Sequence, residues 1–238
     1  MSTRIRLYCL PYAGGSAQRI YDGWQHRLPR HLEVVPLELP ARGARTGERP
    51  VTRMGGLVTD VLRQVLPAAG EPYALFGHSL GGTLAFEVAR ELEQEHGRAP
   101  VKLLVSGTRA ADADGEPDVD FLLPDDAFLE RIRQFGGTPP EVLADDGLME
   151  LLLPVIRADF AAAAQWRYRP GPPLSCPITV FGGTRDEQVA ADGLAGWGKH
   201  TVANCRVHLL PGGHFYVDEM SERLVALVAE ELPSGLGG

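Results

Sequence analysis

Three side chains of complementary chemistry stand just beyond three short apolar runs. Ser79 lies in Gly77-His78-Ser79-Leu80-Gly81, a match to G-x-S-x-G. Asp186 closes Gly182-Gly183-Thr184-Arg185-Asp186, and His214 sits in Pro211-Gly212-Gly213-His214-Phe215. A serine hydroxyl is a poor nucleophile until a base beside it takes its proton. An imidazole can be that base, and a carboxylate can orient the ring and stabilise its charged form. The set reads as a nucleophile, Ser79, a base, His214, and an orienting acid, Asp186. Its chemistry would be acyl transfer through a covalent intermediate.

The glycines around Ser79 fit that use. A nucleophilic serine must stand at the tip of a sharp turn, with its hydroxyl free and backbone N–H groups close by. Such a turn leaves no room for neighbouring side chains, and Gly77 and Gly81 supply the room. Ser79 could instead be a plain helix cap after a Gly-rich turn. The strand before it, the helix after it and the two distant partners weigh against that. His78 adjoins the serine, so its own ring should point elsewhere and pack at the turn. The other histidines, His26, His31, His96, His200 and His208, lack a Gly-Gly turn after a strand. For the acid, Asp112 rivals Asp186, because it too follows an apolar run, 101–106.

These side chains need elements to carry them. Residues 73–76 form an apolar strand, and from Thr83 the positions Leu84, Val88, Ala89 and Leu92 recur at helical spacing. Further strands are expected at 5–10, 32–37, 101–106, 178–181 and 205–210, and helices at 21–28, 54–66 and 222–231. Strands alternating with helices argue for an α/β fold with a mainly parallel, doubly wound sheet. The first strand runs into Pro11-Tyr12-Ala13-Gly14-Gly15-Ser16-Ala17. In the α/β-hydrolase fold, whose triad follows the order Ser, Asp, His, such an early loop supplies one backbone donor for the oxyanion. The residue after the nucleophile supplies the other. Those donors are the N–H groups of Ala13 and Leu80, with Tyr12, Gly14 and Phe215 as expected substrate contacts. A plain tight turn at Gly14-Gly15 is the alternative.

Residues 112–165 carry helical patterns without a clear strand and read as a lid inserted over the nucleophile, expected to move; ordinary crossover helices are the alternative. Asp125 or Asp126 should cap a helix bearing Phe128, Leu129, Ile132 and Phe135, which Gly136-Gly137 stops. Pro154 should interrupt a later helix at 148–160. The loop 108–120 should be mobile. The whole reads as one domain, 1–232, with a disordered tail, 233–238.

Composition narrows the classes. The chain has 238 residues, 44% of them hydrophobic, enough for one full core. Its formal net charge is −8 with no basic run, which speaks against nucleic-acid binding. No run is long enough to span a membrane, and the N-terminus lacks the apolar stretch of a signal peptide. The cytoplasm is the expected compartment and a monomer the expected state. Cys9, Cys176 and Cys205 are too scattered for a metal site or a disulfide framework, and each should be a buried thiol beside a strand.

Five segments carry a more specific resemblance: Leu10-Pro11-Tyr12-Ala13-Gly14-Gly15-Ser16, Leu39-Pro40-Ala41-Arg42-Gly43-Ala44-Arg45, Phe76-Gly77-His78-Ser79-Leu80-Gly81-Gly82, Arg157-Ala158-Asp159-Phe160 and Gly213-His214-Phe215. Together they resemble the type II thioesterases, stand-alone editing enzymes of polyketide and nonribosomal peptide synthesis. Two departures are visible. Many relatives have Met where this chain has Leu80, and Pro-Gly-Arg where it has Pro40-Ala41-Arg42. The resemblance implies hydrolysis of short, stalled or aberrant acyl groups held as thioesters on carrier-protein domains. It implies no metal and no bound cofactor, since the phosphopantetheine arm belongs to the substrate. Carrier domains are acidic, and so is this chain, so docking would need a local basic patch; Arg42, Arg45, Arg49 and Arg53 are the candidates. Arg42 and Arg45 could also meet a substrate phosphate or be ordinary surface charge. A general carboxylesterase or lipase of the same fold is the main rival reading. A terminating thioesterase fits less well with a short chain starting at its own Met1. A catalytically inactive binding protein would keep the fold but not the intact Ser79, Asp186 and His214.

Overall fold

The computed structural model describes residues 4–113 and 119–233. Six strands form one sheet: β1 Ile5–Leu10, β2 Leu32–Pro36, β3 Tyr73–His78, β4 Lys102–Ser106, β5 Ile178–Gly183 and β6 Cys205–Leu210. They pair in parallel in the order β2-β1-β3-β4-β5-β6. β3, β4 and β5 are buried along their whole length, as strands covered on both faces by crossover helices must be. The chain leaves β1 outward to β2 and returns to the other side at β3. The order therefore reverses between β1 and β3, and the crevice beyond their carboxyl ends is where open α/β sheets bind ligands.

The helices are α1 Ala17–Ile20, α2 Trp24–Arg27, α3 Met54–Val65, α4 Leu80–Gln94, α5 Asp125–Phe135, α6 Pro140–Leu143, α7 Asp146–Gln165, α8 Ala191–Ala195, α9 Tyr216–Glu219 and α10 Ser221–Glu231. One face of the sheet, through Tyr8, Leu75, Leu103 and Val180, packs on α3, α4 and α8. The other, through Leu7, Phe76, Leu104 and Phe181, packs on α1, α2, α9 and α10. A separate small core of Phe128, Ile132, Met149 and Ile156 joins α5 to α7. Among the described residues no helix is long and apolar enough to cross a membrane.

Several expectations are corrected. Of the helix expected at 21–28 only Trp24–Arg27 is helical, entered from Gly23 at φ +74°; a separate short helix, Ala17–Ile20, precedes it. Helix α5 has Pro124 at its N-cap without a side-chain cap; Asp125 and Asp126 occupy its first turn, where their charges favour the helix dipole. Gly136 does close that helix, at φ +82°. Pro154 does not interrupt α7, which runs unbroken for 20 residues. A proline removes one helical hydrogen bond, and the remaining turns carry the helix across the gap. Cys9 and Cys176 are buried, whereas Cys205 is only half-buried on the edge strand β6. Of the expected mobile loop, residues 114–118 lie outside the described residues, as does the tail beyond Pro233.

Candidate active site

The turn from β3 into α4 is one residue long. Ser79 lies between them at φ +54°, ψ −119°, a strained backbone for any residue with a Cβ. The strain is held from all sides. The Ser79 N–H donates to the Ser106 carbonyl at 2.8 Å, and Thr108 Oγ1 donates to the Ser79 carbonyl at 2.5 Å. A Cβ on Gly77 would fall 1.9 Å from the Gly81 carbonyl oxygen, and one on Gly81 2.4 Å from that of Leu10. Backbone cannot give way at those distances, so both glycines are sterically required.

His214 and Asp186 reach this serine from the ends of β6 and β5. His214 Nε2 lies 3.0 Å from Ser79 Oγ, and His214 Nδ1 lies 2.8 Å from Asp186 Oδ2. An ionised carboxylate can only accept, so Nδ1 carries the proton and Nε2 is free to accept from the hydroxyl. Asp186 Oδ1 accepts from the Gln188 and Val189 N–H groups at 2.9 and 3.1 Å. Burial works to raise the Asp186 pKa, but the hydrogen bond and charge of His214 and these two amides outweigh it. The carboxyl is held below its ordinary range.

The rival acid is engaged elsewhere. Asp112 Oδ1 lies 3.0 Å from His200 Nε2 and its Oδ2 accepts from Lys199 Nζ at 3.2 Å. His78 is fully buried, with Nδ1 2.9 Å from Ser106 Oγ and its ring 5.2 Å from that of His214. Burial, reinforced by His214, pushes its pKa well below the ordinary histidine value, so it is a neutral packing group.

Ser79 opens on a cavity of ≈ 820 Å³ between α4, the loop after β1 and the α5–α7 segment. Ala13, Leu80, Tyr12 and Phe215 line it beside the serine. The N–H groups of Ala13 and Leu80 have no backbone acceptor among the described residues, which leaves both available to a ligand oxygen. Tyr12 is anchored through its hydroxyl to Asp218 Oδ2 at 3.1 Å, and its ring meets Phe215 edge-on at 5.1 Å. Gly14, expected as a substrate contact, is turned away from the cavity. Its N–H donates to Asp159 Oδ2 at 2.7 Å, and a Cβ on it would lie 2.6 Å from Ile156 Cγ1. Ile132, Phe135, Ile156 and Phe160 form an apolar roof from the lid segment.

The basic patch is also corrected. Arg42 is neither surface charge nor free for a phosphate. Its side chain is 3% exposed and forms a two-pronged pair with Asp159 at 2.6 and 2.9 Å. Arg45 pairs with Glu48 and Asp60. Only Arg49 and Arg53 of the four remain exposed without an ion pair among the described residues. The segment Arg157-Ala158-Asp159-Phe160 was the visible signal for Asp159, but not for the partner it finds 117 positions away. Arg42 is aimed inward by Ala41, which adopts φ +70°. A left-handed alanine costs roughly 1–2 kcal/mol, part of which glycine returns as unfolded-chain entropy. Ala41→Gly should therefore stabilise the fold by about 0.5–1 kcal/mol, read as a higher urea midpoint.

The arrangement can activate a hydroxyl, hold a developing oxyanion and shelter an acyl chain. Among the described residues no group of His, Cys, Asp or Glu is placed to hold a metal ion. The family model described as thioesterase domain matches residues 5–232. The gramicidin S biosynthesis protein GrsT of Aneurinibacillus migulanus is 36% identical over 231 residues, covering 97% of this chain and 90% of that one. The crystal structure of ClbQ from the colibactin NRPS/PKS pathway superposes with a TM-score of 0.90 at 37% identity, covering 96% of both chains. The type II thioesterase BorB from the borrelidin biosynthetic cluster gives a TM-score of 0.86 at 37% identity, covering 96% of this chain and 92% of that one.

Proposed function

The chain belongs to the thioesterase family of α/β-hydrolase fold, with type II thioesterases of NRPS/PKS pathways among its relatives, and from that premise we propose that it hydrolyses acyl thioesters carried on phosphopantetheinyl carrier domains. The observation that carries this reading is the hydrogen-bonded line Asp186–His214–Ser79, opening on an apolar-roofed cavity beside two uncommitted backbone donors.

The proposed steps are these. Ser79 Oγ attacks the thioester carbonyl carbon as its proton passes to His214 Nε2. The carbonyl oxygen becomes an oxyanion between the N–H groups of Ala13 and Leu80. Collapse breaks the carbon–sulfur bond, and the His214 proton goes to the departing thiolate. The acyl group is then esterified to Ser79. Water enters, loses a proton to His214 Nε2 and attacks the same carbon. The Ser79 oxygen leaves with that proton, and a free acid is released. Asp186 orients the ring throughout and stabilises the imidazolium. The substrate brings its own pantetheine arm, so the protein needs no bound cofactor for these steps.

The test is release of a short acyl group from a holo carrier protein, beside a p-nitrophenyl ester, with Ser79→Ala as control. Rapid hydrolysis from the carrier, lost in the variant, is the expected result. Cleavage of the small ester alone would move the function to a general esterase.

A further inference from the structure

The buried pair Arg42–Asp159 lies outside the line of Ser79, His214 and Asp186, and no step above uses its charge. Its two side chains are 3% and 1% exposed. Stability explains such a pair poorly, because the cost of desolvating two charges often cancels their attraction. What the pair touches is more telling. Asp159 Oδ2 accepts from Arg42 Nη1 and, at 2.7 Å, from the Gly14 N–H. Arg42 Nη1 also reaches the Gly15 carbonyl at 3.5 Å. The next residue back in that loop is Ala13. The peptide between Ala13 and Gly14 is thus held by a carboxylate that is itself locked by a guanidinium.

We propose that Asp159, held by Arg42, is a positioning residue for the oxyanion loop: by fixing the Ala13–Gly14 peptide it aims the Ala13 N–H into the cavity. This rests on the reading of Ala13 as an oxyanion donor. It also gives α7 two tasks. The helix roofs the cavity, and it sets the donor, through Asp159 on the Gly14 N–H and Ile156 against the Gly14 α-carbon. The strained Ala41 fits the same device, since it turns Arg42 from the loop after β2 into the core.

Two double variants separate positioning from mere packing. Both remove the buried charges. Arg42→Gln/Asp159→Asn keeps a side-chain oxygen for the Gly14 N–H; Arg42→Gln/Asp159→Leu does not. Each is assayed on a p-nitrophenyl ester, which needs the serine chemistry but no carrier. Each is also titrated with an alkyl boronic acid, whose tetrahedral adduct on Ser79 places an oxygen where the oxyanion forms. The Asn variant should stay within about tenfold of wild type. The Leu variant should lose about 100-fold in kcat with KM little changed, and boronate affinity should fall in parallel, as expected for a lost oxyanion donor. Equal kcat in the two doubles overturns the proposal, as does a kcat loss with boronate affinity intact. Should the Leu variant not fold, Asp159→Glu keeps the ion pair but displaces the acceptor; a fall in its kcat and boronate affinity supports the proposal, and wild-type values for both overturn it. A wild-type protein that cleaves the ester but no carrier thioester removes the substrate assignment alone.

Discussion

Ser79→Ala should lower kcat on an acyl-carrier thioester by about 10⁶-fold while leaving the fold intact. The alanine inherits the same backbone, φ +54°, so the strain of the turn is neither relieved nor increased. The side chain loses one oxygen, which is 3.0 Å from His214 Nε2, and little else. What remains is water attacking a carbonyl polarised by two backbone donors. Because Ser79 and His214 act as one unit, adding His214→Ala should cost little more than either change alone. Single-turnover kinetics with an excess of enzyme would check both points. Residual activity of a few per cent in Ser79→Ala would rule out the serine as nucleophile, whatever its geometry.

The parts of this site that were legible in the sequence are those in which local chemistry and local structure coincide. Ser79 announces itself because the turn it occupies demands Gly77 and Gly81 within five residues. The sheet could be read because its central strands are apolar on both faces. Asp186 and His214 could be read because each follows a strand at the carboxyl edge of that sheet. Arg42 could not. An arginine in a Gly- and Pro-rich loop looks like surface charge, and its burial follows from a left-handed Ala41 and from an aspartate on a distant helix. Gly14 was placed on the wrong side of its loop for the same reason, because its partner lies 145 positions away. The continuity of α7 through Pro154 was likewise decided by packing against α5, which local propensity does not record. Tertiary partners override local signals where the local signal is only a weak preference.

Asp186→Asn is expected to cost about 10⁴-fold in kcat, far more than the loss of one hydrogen bond would suggest. The carboxylate accepts from His214 Nδ1 and so keeps Nε2 unprotonated toward the serine. An amide at the same place can donate to Nδ1, which moves the ring proton to Nε2 and turns the base into a donor. Asp112→Asn is the contrast: its partners are His200 and Lys199, and kcat should stay close to wild type. Stability carries an independent signature of the same carboxylate. Its folded pKa lies below the ordinary value of about 3.9, so its ionised form favours the fold. That contribution is present in full above the unfolded value and is lost as pH falls through the lowered native one. The stability advantage of wild type over Asp186→Asn, measured by urea unfolding, should therefore shrink as pH falls below about pH 4. An advantage that grew as pH fell from about 5 to about 3 would mean that Asp186 is protonated in the native site, and the role of orienting anion would pass to another group.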